Sequence, residues 1–260
     1  MTKLNIIEIK GLTINDSNGQ PLLNRVDLSI KKQQINAIIG ESGAGKTVTM
    51  RFILNQLPKD FQIEYDYFLF NGHAMTHLND KLGKDIGYIS QNYTQSFNDH
   101  TKLGKQLISI YRTHYDVSKQ IANTKVKEAL TWVNLPSEEI LTRYSFQLSG
   151  GQLERVYIAS VLMLDPKLII ADEPVASLDM VNGLQIMDLL EHIVRDHHQT
   201  LLIVTHNMSH VLKYADQIDV IQNGQIVDRG NRSYFESKQS TPYAQRLFHF
   251  RSHIKRGYHD

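Results

Sequence analysis

The sequence predicts an α/β fold in which helices cover a largely parallel sheet, and three observations predict it. Three short runs rich in Ile, Val and Leu lack polar alternation, as expected for strands that are buried on both faces. These runs occupy residues 35–40, 167–173 and 199–206. Stretches with apolar residues at helical spacing lie between them. Each run also ends in a residue capable of chemistry, and ligands of such sheets gather at the carboxyl ends of the strands.

The composition excludes several classes of function. The 260 residues include 28 Lys and Arg against 27 Asp and Glu, so no broad basic surface for nucleic acid is expected. The absence of cysteine excludes disulfides, thiolate metal centres and cysteine nucleophiles. The first residues lack a secretory signal pattern, and no apolar run approaches the roughly 18 residues of a membrane helix. We therefore expect a cytoplasmic protein whose link to a membrane comes through a partner.

The first elements along the chain are predicted to be antiparallel strands at 6–14 and 26–30, because their apolar residues alternate. The strand at 35–40 then leads into GESGAGKT, which matches the phosphate-loop pattern G-x-x-x-x-G-K-[ST]. A helix predicted at 48–57 follows, which is the context that this loop requires. Glycines let the backbone N–H groups turn toward phosphate oxygens, and the helix N-terminus adds its positive dipole end. The predicted nucleotide-binding residues here are Gly40, Glu41, Ser42, Gly43, Ala44, Gly45, Lys46 and Thr47.

Two of these residues have specific predicted roles. Lys46 is expected to reach the outer phosphates of a nucleotide. The Thr47 hydroxyl is expected to bind Mg²⁺.

A second glycine-rich segment follows a stretch at about 95–165 that is mostly helical in pattern and that we interpret as a helical insertion. Ser149 and Gln152 form the pattern S-x-x-Q, a capping box at the start of a helix. Gly150 and Gly151 leave N–H groups uncovered in the first turn, which favours a second anion site. Because the insertion separates the two loops in sequence, we expect the second loop to serve the nucleotide of a neighbouring chain. The simpler alternative is a helix cap without further function.

The remaining candidate residues also follow predicted strands. Asp172 and Glu173 end the run at 167–173; Asp172 suits a Mg²⁺ ion that bridges nucleotide phosphates, while Glu173 is positioned to polarise a water molecule. His206 ends the run at 199–206 and is expected to hydrogen-bond the γ-phosphate or the attacking water. Asn223-Gly224 predicts a type I′ hairpin near the C-terminus. A helix is predicted at 181–196 by its apolar spacing.

Taken together, these motifs resemble the ATP-binding subunits of ABC transporters. The matching segments, in the order of that family, are GESGAGKT, Gln91 after IGYIS, LSGGQLERV, LIIADEP, the SLD turn at 177–179 and IVTH. The resemblance implies a P-loop NTPase fold, namely an ABC nucleotide-binding domain at 4–248 with an N-terminal antiparallel β subdomain and the helical insertion. A short tail, 249–260, would follow it.

The resemblance also implies a mechanism and further site residues. Two such domains dimerise head to tail around two ATP molecules with Mg²⁺, each held between one chain's phosphate loop and the other's LSGGQ. Glu173, His206 and Gln91 would be catalytic, with Gln91 also at the metal beside Thr47 and Asp172. Asp179 would bind nucleotide and couple the two sites.

Three segments resemble the corresponding segments of the nickel and oligopeptide importers. They are TVTMRFILNQLP after the phosphate loop, IGYISQNYTQSFND and the tail TPYAQRLF. This implies uptake of nickel, cobalt or a metal–metallophore complex, with an oligopeptide or dipeptide importer as the alternative. The implied partners are a second ABC ATPase subunit, most simply a paralogue, two membrane permease subunits and an external solute-binding protein. The subunit would lie at the cytoplasmic face of the cell membrane. A soluble ATPase acting on DNA or ribosomes and an exporter ATPase are less compatible alternatives.

Two features do not fit this pattern simply. The family usually stacks adenine on an aromatic residue just after the first strand, whereas GLTINDSNG offers none and Asp16 occupies that region. In addition, His73 and His77, like His249 and His253, are four residues apart. On a helix that spacing is able to bind a metal, although exposed polar residues without a ligand are the favoured interpretation.

Overall fold

The computed structural model describes residues 4–78, 81–176, 178–237 and 239–249. The chain divides into two units, one formed by residues 1–80 with 200–260 and the other by residues 81–199.

The first unit contains an antiparallel sheet with the strand order β2-β1-β5-β6, in which β4 also pairs with β1. Its long strands confirm the antiparallel pair predicted at 6–14 and 26–30, and one face packs against the core through residues such as Ile7 and Leu28. The strands are β1 (Asn5–Asn15), β2 (Pro21–Lys31), β4 (Gln62–Glu64), β5 (Tyr67–Phe70) and β6 (His73–Ala74).

The same unit contains the parallel strands that position the site. β3 (Ile35–Ile39) pairs in parallel with β9 (Thr200–Thr205) on one side and with β10 (Gln217–Gln222) on the other. Every residue of β3 and β9 is buried, which confirms the prediction from their unbroken apolar runs. The carboxyl ends of β3, β9 and β10 therefore lie at one edge of the sheet.

The β10–β11 hairpin confirms the turn predicted from Asn223-Gly224. β11 (Gln225–Gly230) pairs antiparallel with β10, and the two turn residues have φ values of 47° and 73°. A type I′ turn requires positive φ at both central positions, which Asn and Gly tolerate.

Helix α1 (Lys46–Ile53) begins two residues before the predicted helix and ends earlier than residue 57. Asn55 adopts the left-handed conformation, with φ 53°, and its N–H donates to the Phe52 carbonyl. The Gln56 N–H donates to the Arg51 carbonyl at 2.8 Å, which completes a Schellman cap. The apolar pattern continued past the cap, so periodicity alone could not place the end. The other helices of this unit are α7 (Met208–Tyr214), α8 (Arg232–Glu236) and α9 (Pro242–His249).

The second unit combines two parallel strands with five helices within its described residues. The strand predicted at 167–173 is present, and its four apolar residues are fully buried. The predicted helical stretches are also present, and the helix predicted at 181–196 begins one residue earlier. The elements are β7 (Ile86–Ile89), α2 (Leu103–His114), α3 (Lys119–Trp132), α4 (Ser137–Thr142), α5 (Gly150–Leu162), β8 (Leu168–Asp172) and α6 (Met180–Asp196).

The histidine pairs do not form helical metal sites in the described part of the chain. His73 lies in the short strand β6, so the four-residue spacing to His77 is not a helical one. His253 lies outside the described residues. Within the described ranges, no group of three His, Asp or Glu side chains is arranged to hold a metal ion. Within the same ranges, no helix has the length and apolarity that crossing a bilayer requires.

Candidate nucleotide-binding site

The loop between β3 and α1 has a backbone that glycine makes possible. A Cβ on Gly40 would lie 2.3 Å from the Ile221 carbonyl oxygen, so the neighbouring strand leaves no room for a side chain. Gly45 has a φ of 115°, which L-residues rarely adopt, and it forms the N-cap of α1. These two positions let the chain curl at the helix N-terminus while Glu41, Ser42 and Gly43 remain exposed.

Lys46 is buried inside this curl. Its ammonium donates to the carbonyl oxygens of Gly40 at 2.8 Å and Glu41 at 2.9 Å. The side chain is 9% exposed, so the positive charge is fixed near the loop rather than dispersed in solvent. Thr47 follows in the first turn of α1 and is exposed. A positive charge, N–H groups at a helix start and a hydroxyl are thus concentrated in one short segment.

Two segments that are distant in sequence support the loop. The Gly224 N–H, in the hairpin turn, donates to the Ala44 carbonyl at 2.9 Å. The Glu41 N–H donates to the hydroxyl of Tyr243, in α9, at 3.2 Å. The sequence predicts neither contact, although it predicts a turn at Asn223-Gly224 and shows a family resemblance in TPYAQRLF. Periodicity and turn signals identify local structure and carry no information about such distant pairs.

His206 lies at the same sheet edge as this loop. β3 and β9 pair in parallel with Ile39 opposite Thr205, and the loop and His206 each follow directly. The imidazole is exposed, while the Asn207 N–H donates to the Thr205 hydroxyl at 3.0 Å and turns the chain into α7. The structure therefore brings His206 and the loop together at one edge.

In the second unit, Gln91, Asp172 and Glu173 also share a sheet edge. β7 and β8 pair in parallel with Ile89 opposite Ala171, and these polar residues follow the paired positions. Asp172 is half-buried, and the Tyr88 hydroxyl lies 3.5 Å from its Oδ2.

Glu173 has a φ of 48°, a left-handed conformation that is costly for a residue with a Cβ. The alternation of the strand therefore stops at Asp172. As a result, the two adjacent carboxylates are not constrained to opposite faces of the sheet.

The segment at 149–152 starts α5 with the predicted capping box. The Gln152 N–H donates to the Ser149 hydroxyl at 3.2 Å, and the Ser149 N–H donates to the Gln152 side-chain carbonyl at 3.1 Å. A Cβ on Gly150 or Gly151 would find no atom closer than 3.5 Å, so neither position is crowded, and Gly150 is exposed while Gly151 is half-buried. Their absence of side chains leaves the helix N-terminus accessible.

Asp179 lies beside this segment and is the N-cap of α6. Its carboxylate accepts the N–H groups of Val181 and Asn182, both at 3.0 Å, and the Asn182 amide at 2.6 Å. Hydrogen bonds from Asn182 and Val181 hold the pKa of the Asp179 carboxyl below its ordinary value. Asp179 and the segment at 149–152 line one groove of about 510 Å³. Ser177, in the same SLD turn, lies outside the described residues.

Asp16 lies in the region where the family usually has an adenine-stacking aromatic residue, and here its side chain stabilises a turn. Its carboxylate accepts the N–H groups of Asn18 and Gln20, both at 2.8 Å, and so closes the turn between β1 and β2.

Comparison with known proteins decides the family. Residues 23–176 match the family model described as ABC transporter. The chain belongs to the ABC transporter family. It is therefore an ATPase that binds and hydrolyses ATP, and the resemblance drawn from the motifs is confirmed.

The curated relatives of this ABC transporter ATPase match along their whole length. It is 58% identical over 257 residues to "Nickel import system ATP-binding protein NikD" of Staphylococcus aureus strain USA300, covering 99% of this chain and 100% of that protein. It is 56% identical over 257 residues to the protein of the same name in strain MRSA252.

Solved structures share the fold. The cbiO1 protein from Clostridium perfringens, part of the ABC transporter complex cbiONQ, has a TM-score of 0.81 at 24% identity, covering 98% of this chain and 100% of that one. The ATP-binding cassette MJ0796, as a dimer in a post-hydrolysis state with ADP and Pi, has a TM-score of 0.72 at 24% identity, covering 87% of this chain and 98% of that one. The predicted fold class is thereby confirmed.

Proposed function

We propose that this chain is the ATP-hydrolysing subunit of an import system for nickel, taken up as the ion or as a complex with a small chelator. The observation that carries the proposal is the 58% identity, over 99% of the chain, to a protein named as the ATP-binding subunit of a nickel import system. The nucleotide-binding residues of this chain explain the energy source and carry no information about the choice of metal. Import of oligopeptides or dipeptides is the alternative that the sequence left open.

Residues 40–47 are proposed to hold the triphosphate. The geometry supports this because the loop combines N–H groups at the start of α1 with a buried ammonium group, that of Lys46. The carbonyls of Gly40 and Glu41 already orient Lys46 Nζ, so the lysine is held in place before a phosphate arrives. Such a preorganised charge binds phosphate without a large entropic cost.

Mg²⁺ fits the donor set of the proposed site. The Thr47 hydroxyl, the Asp172 carboxylate and the Gln91 amide are hard oxygen donors of the type that Mg²⁺ prefers, alongside phosphate oxygens. When bound, the ion would neutralise charge on the phosphates. These three residues would hold it.

The hydrolytic step is proposed to use groups that follow strand ends. Glu173, turned by its left-handed backbone, would accept a proton from the attacking water. His206 would donate a hydrogen bond to the γ-phosphate, and Gln91 would position the water. Each role needs a polar side chain at the end of a rigid strand, where small displacements are resisted by the buried strand behind it.

The segment at 149–152 and Asp179 are proposed to complete the site of a neighbouring ATPase subunit. Their shared groove and the accessible N-terminus of α5 support the proposal, because an open donor surface suits the phosphates of another chain. The ATP-binding cassette MJ0796, which shares the fold, is dimeric in its post-hydrolysis structure, and this supports the proposal.

The remaining partners are proposed to be those of an import system. We infer a second ATPase subunit, most simply a paralogue, two membrane permeases and an external solute-binding protein, with no nucleic acid. The chain would lie peripherally at the cytoplasmic face and contact the membrane through the permeases. The ATP-binding domain is proposed to span 4–248, with 249–260 as a short tail.

Glu173→Gln tests the proposed function in cells that lack the native chain and produce the complete transporter. We expect ATP binding to persist, because the amide keeps the shape of the side chain, while ATP hydrolysis falls by about 10²-fold or more through loss of the base. Uptake of radioactive nickel is expected to fall with it.

Glu138→Gln is the matched control, since Glu138 is exposed on α4 and pairs only with Lys127 among the ion pairs of the described residues. It should leave hydrolysis and uptake unchanged. Normal hydrolysis by Glu173→Gln would remove Glu173 as the base. If the intact transporter accumulates a labelled dipeptide and not nickel, the peptide alternative replaces the nickel proposal.

A further inference from the structure

Within the first unit, hydrogen bonds hold the start of helix α9. The Thr241 N–H donates to the Asp228 carboxylate of β11 at 2.6 Å, and the Gln245 amide donates to the Ser240 carbonyl at 2.7 Å. Ala244 is fully buried and Tyr243 is 7% exposed. The first turn of α9 is therefore part of the packed structure.

Tyr243, in this first turn of α9, contacts the phosphate loop. Its hydroxyl oxygen accepts the Glu41 N–H at 3.2 Å. Burial raises the pKa of the Tyr243 phenol above its ordinary value, so the hydroxyl stays protonated and neutral throughout the physiological range. A neutral phenol accepts this hydrogen bond without placing negative charge beside the loop.

Glu41 links that contact to the central lysine. Its carbonyl oxygen accepts the Lys46 ammonium at 2.9 Å and the Ala44 N–H at 3.2 Å. The N–H of residue 41 is thus fixed by Tyr243, while its carbonyl helps to orient Lys46. Rotation at residue 41 would disturb both hydrogen bonds.

We propose that Tyr243 is a positioning residue for ATP binding, which holds Glu41 so that Lys46 and the loop are ready for the triphosphate. The inference rests on the proposed role of residues 40–47. The Tyr243 hydroxyl acts through the loop and does not itself bind the nucleotide. Gly224 supports the loop at a second point, through Ala44, so two residues from the C-terminal part of the chain hold the loop.

Tyr243→Phe tests the proposal because it removes the hydroxyl and keeps the buried ring. The full-length chain is expected to bind ATP about 3- to 10-fold more weakly, as expected for the loss of one hydrogen bond of ordinary net strength. In the assembled transporter, the KM for ATP is expected to rise by the same factor while kcat changes little, since the hydrogen bond acts before the chemical step. Faster amide exchange at Glu41, measured by NMR on the full chain, is the direct structural readout.

Tyr234→Phe is the matched control. Tyr234, on α8, has a hydroxyl hydrogen bond to the Gln239 carbonyl at 3.4 Å and also interacts with the Asp228 carboxylate that accepts the Thr241 N–H, but it does not contact residues 40–47 through any described hydrogen bond. The variant therefore tests whether a weaker anchor of α9 is enough to change ATP binding. The control is expected to keep wild-type ATP affinity and Glu41 exchange. Equal weakening in both variants would mean general loosening of the C-terminal segment and would overturn the proposal.

Lys46→Ala separates this inference from the proposed function. If Lys46→Ala loses ATP binding while Tyr243→Phe keeps normal affinity and KM, the inference is wrong and the role of the loop stands. If Lys46→Ala binds ATP normally, the role of the loop fails and the inference fails with it. Weaker ATP binding and faster Glu41 exchange in Tyr243→Phe alone would support the inference.

Discussion

Glu154 is an acidic residue in a buried position. It is 2% exposed in α5, and its Oε2 atom has no hydrogen-bond partner within the described part of the chain. Burial raises the pKa of its carboxyl to about 7, while the neighbouring Arg155 lowers it by a smaller amount. Burial therefore favours the protonated, neutral form of this carboxyl group, which lies in α5 shortly after the SGGQ segment.

This preference predicts a stability that falls as pH rises. The native protein holds the Glu154 proton more tightly than the unfolded chain, so the free energy of unfolding falls from about pH 4.5 to about pH 7 and stays lower above it. Glu154→Gln removes the titration and should raise the free energy of unfolding at pH 8 by about 2 kcal/mol, with little gain at pH 5. Urea unfolding of the full chain at the two pH values checks this. An equal effect at both values would show that the carboxyl does not titrate in this range.

The sequence indicates which chemical groups single residues offer, but it does not indicate the environment of those groups. The pattern GESGAGKT identified Lys46 as the central cation, but only the structure shows the ammonium bonded to two carbonyls of its own loop. Glu154 carried no signal at all, because its position in LSGGQLERV gave no information about burial. Burial depends on which elements pack over a helix, and one sequence does not specify this for polar residues.

At the level of elements, the β10–β11 hairpin reverses the chain and also contacts β2 and the phosphate loop. Its turn residue Gly224 approaches β2 so closely that a Cβ would lie 2.5 Å from the Leu22 carbonyl oxygen. The same residue donates to Ala44 in the phosphate loop. The dipeptide Asn-Gly predicted the turn from local chemistry, whereas these distant contacts depend on the assembled unit and lay beyond sequence reasoning.

Gly224→Ala should therefore cost more than an ordinary glycine replacement. The left-handed φ of 73° costs about 1 kcal/mol or more for alanine, and the close approach to backbone adds to it. We expect a loss of about 3 kcal/mol in the free energy of unfolding and weaker ATP binding. Denaturant titration and calorimetry on the full chain provide the measurements.

Gly19→Ala is the control for this prediction. Gly19 has a similar φ of 76°, but a Cβ there would find no atom within 4 Å. It should lose only the conformational part and keep its ATP affinity. Equal losses in the two variants would show that the approach to Leu22 is relaxed at little cost.

Considered as a whole molecule, the chain contains two glycine-rich helix starts in different units. The unit at 81–199 contains more residues than the predicted helical insertion at 95–165, because it also includes β7, β8 and α6. The overall class was predictable because buried parallel strands and a phosphate loop leave strong local patterns. The domain limits at 4–248 remain a prediction.

Ser149→Arg tests the sharing of sites between chains. The bulky cation is expected to block the groove, so that hydrolysis by the assembled transporter falls by about 10²-fold. The isolated full chain should bind ATP normally, because residues 40–47 are untouched. If the isolated chain loses ATP binding equally, Ser149 acts within its own chain.

Ser118→Arg is the matched control, since Ser118 is also a helix N-cap and its side chain accepts the Ile121 N–H at 3.3 Å. Both variants lose a cap worth about 1 kcal/mol. Only Ser149→Arg is expected to reduce hydrolysis, and a comparable reduction by Ser118→Arg would assign the effect to capping alone.

The reciprocal cap at the start of α5 also sets what that helix can recognise. Ser149 Oγ and Gln152 Oε1 each accept one N–H inside the fold, which uses one of the two lone pairs on each oxygen. The hydroxyl hydrogen of Ser149 and the amide NH₂ of Gln152 are donors that can bind a neighbouring molecule. This helix start is thereby suited to acceptor-rich groups such as phosphate before any neighbour arrives.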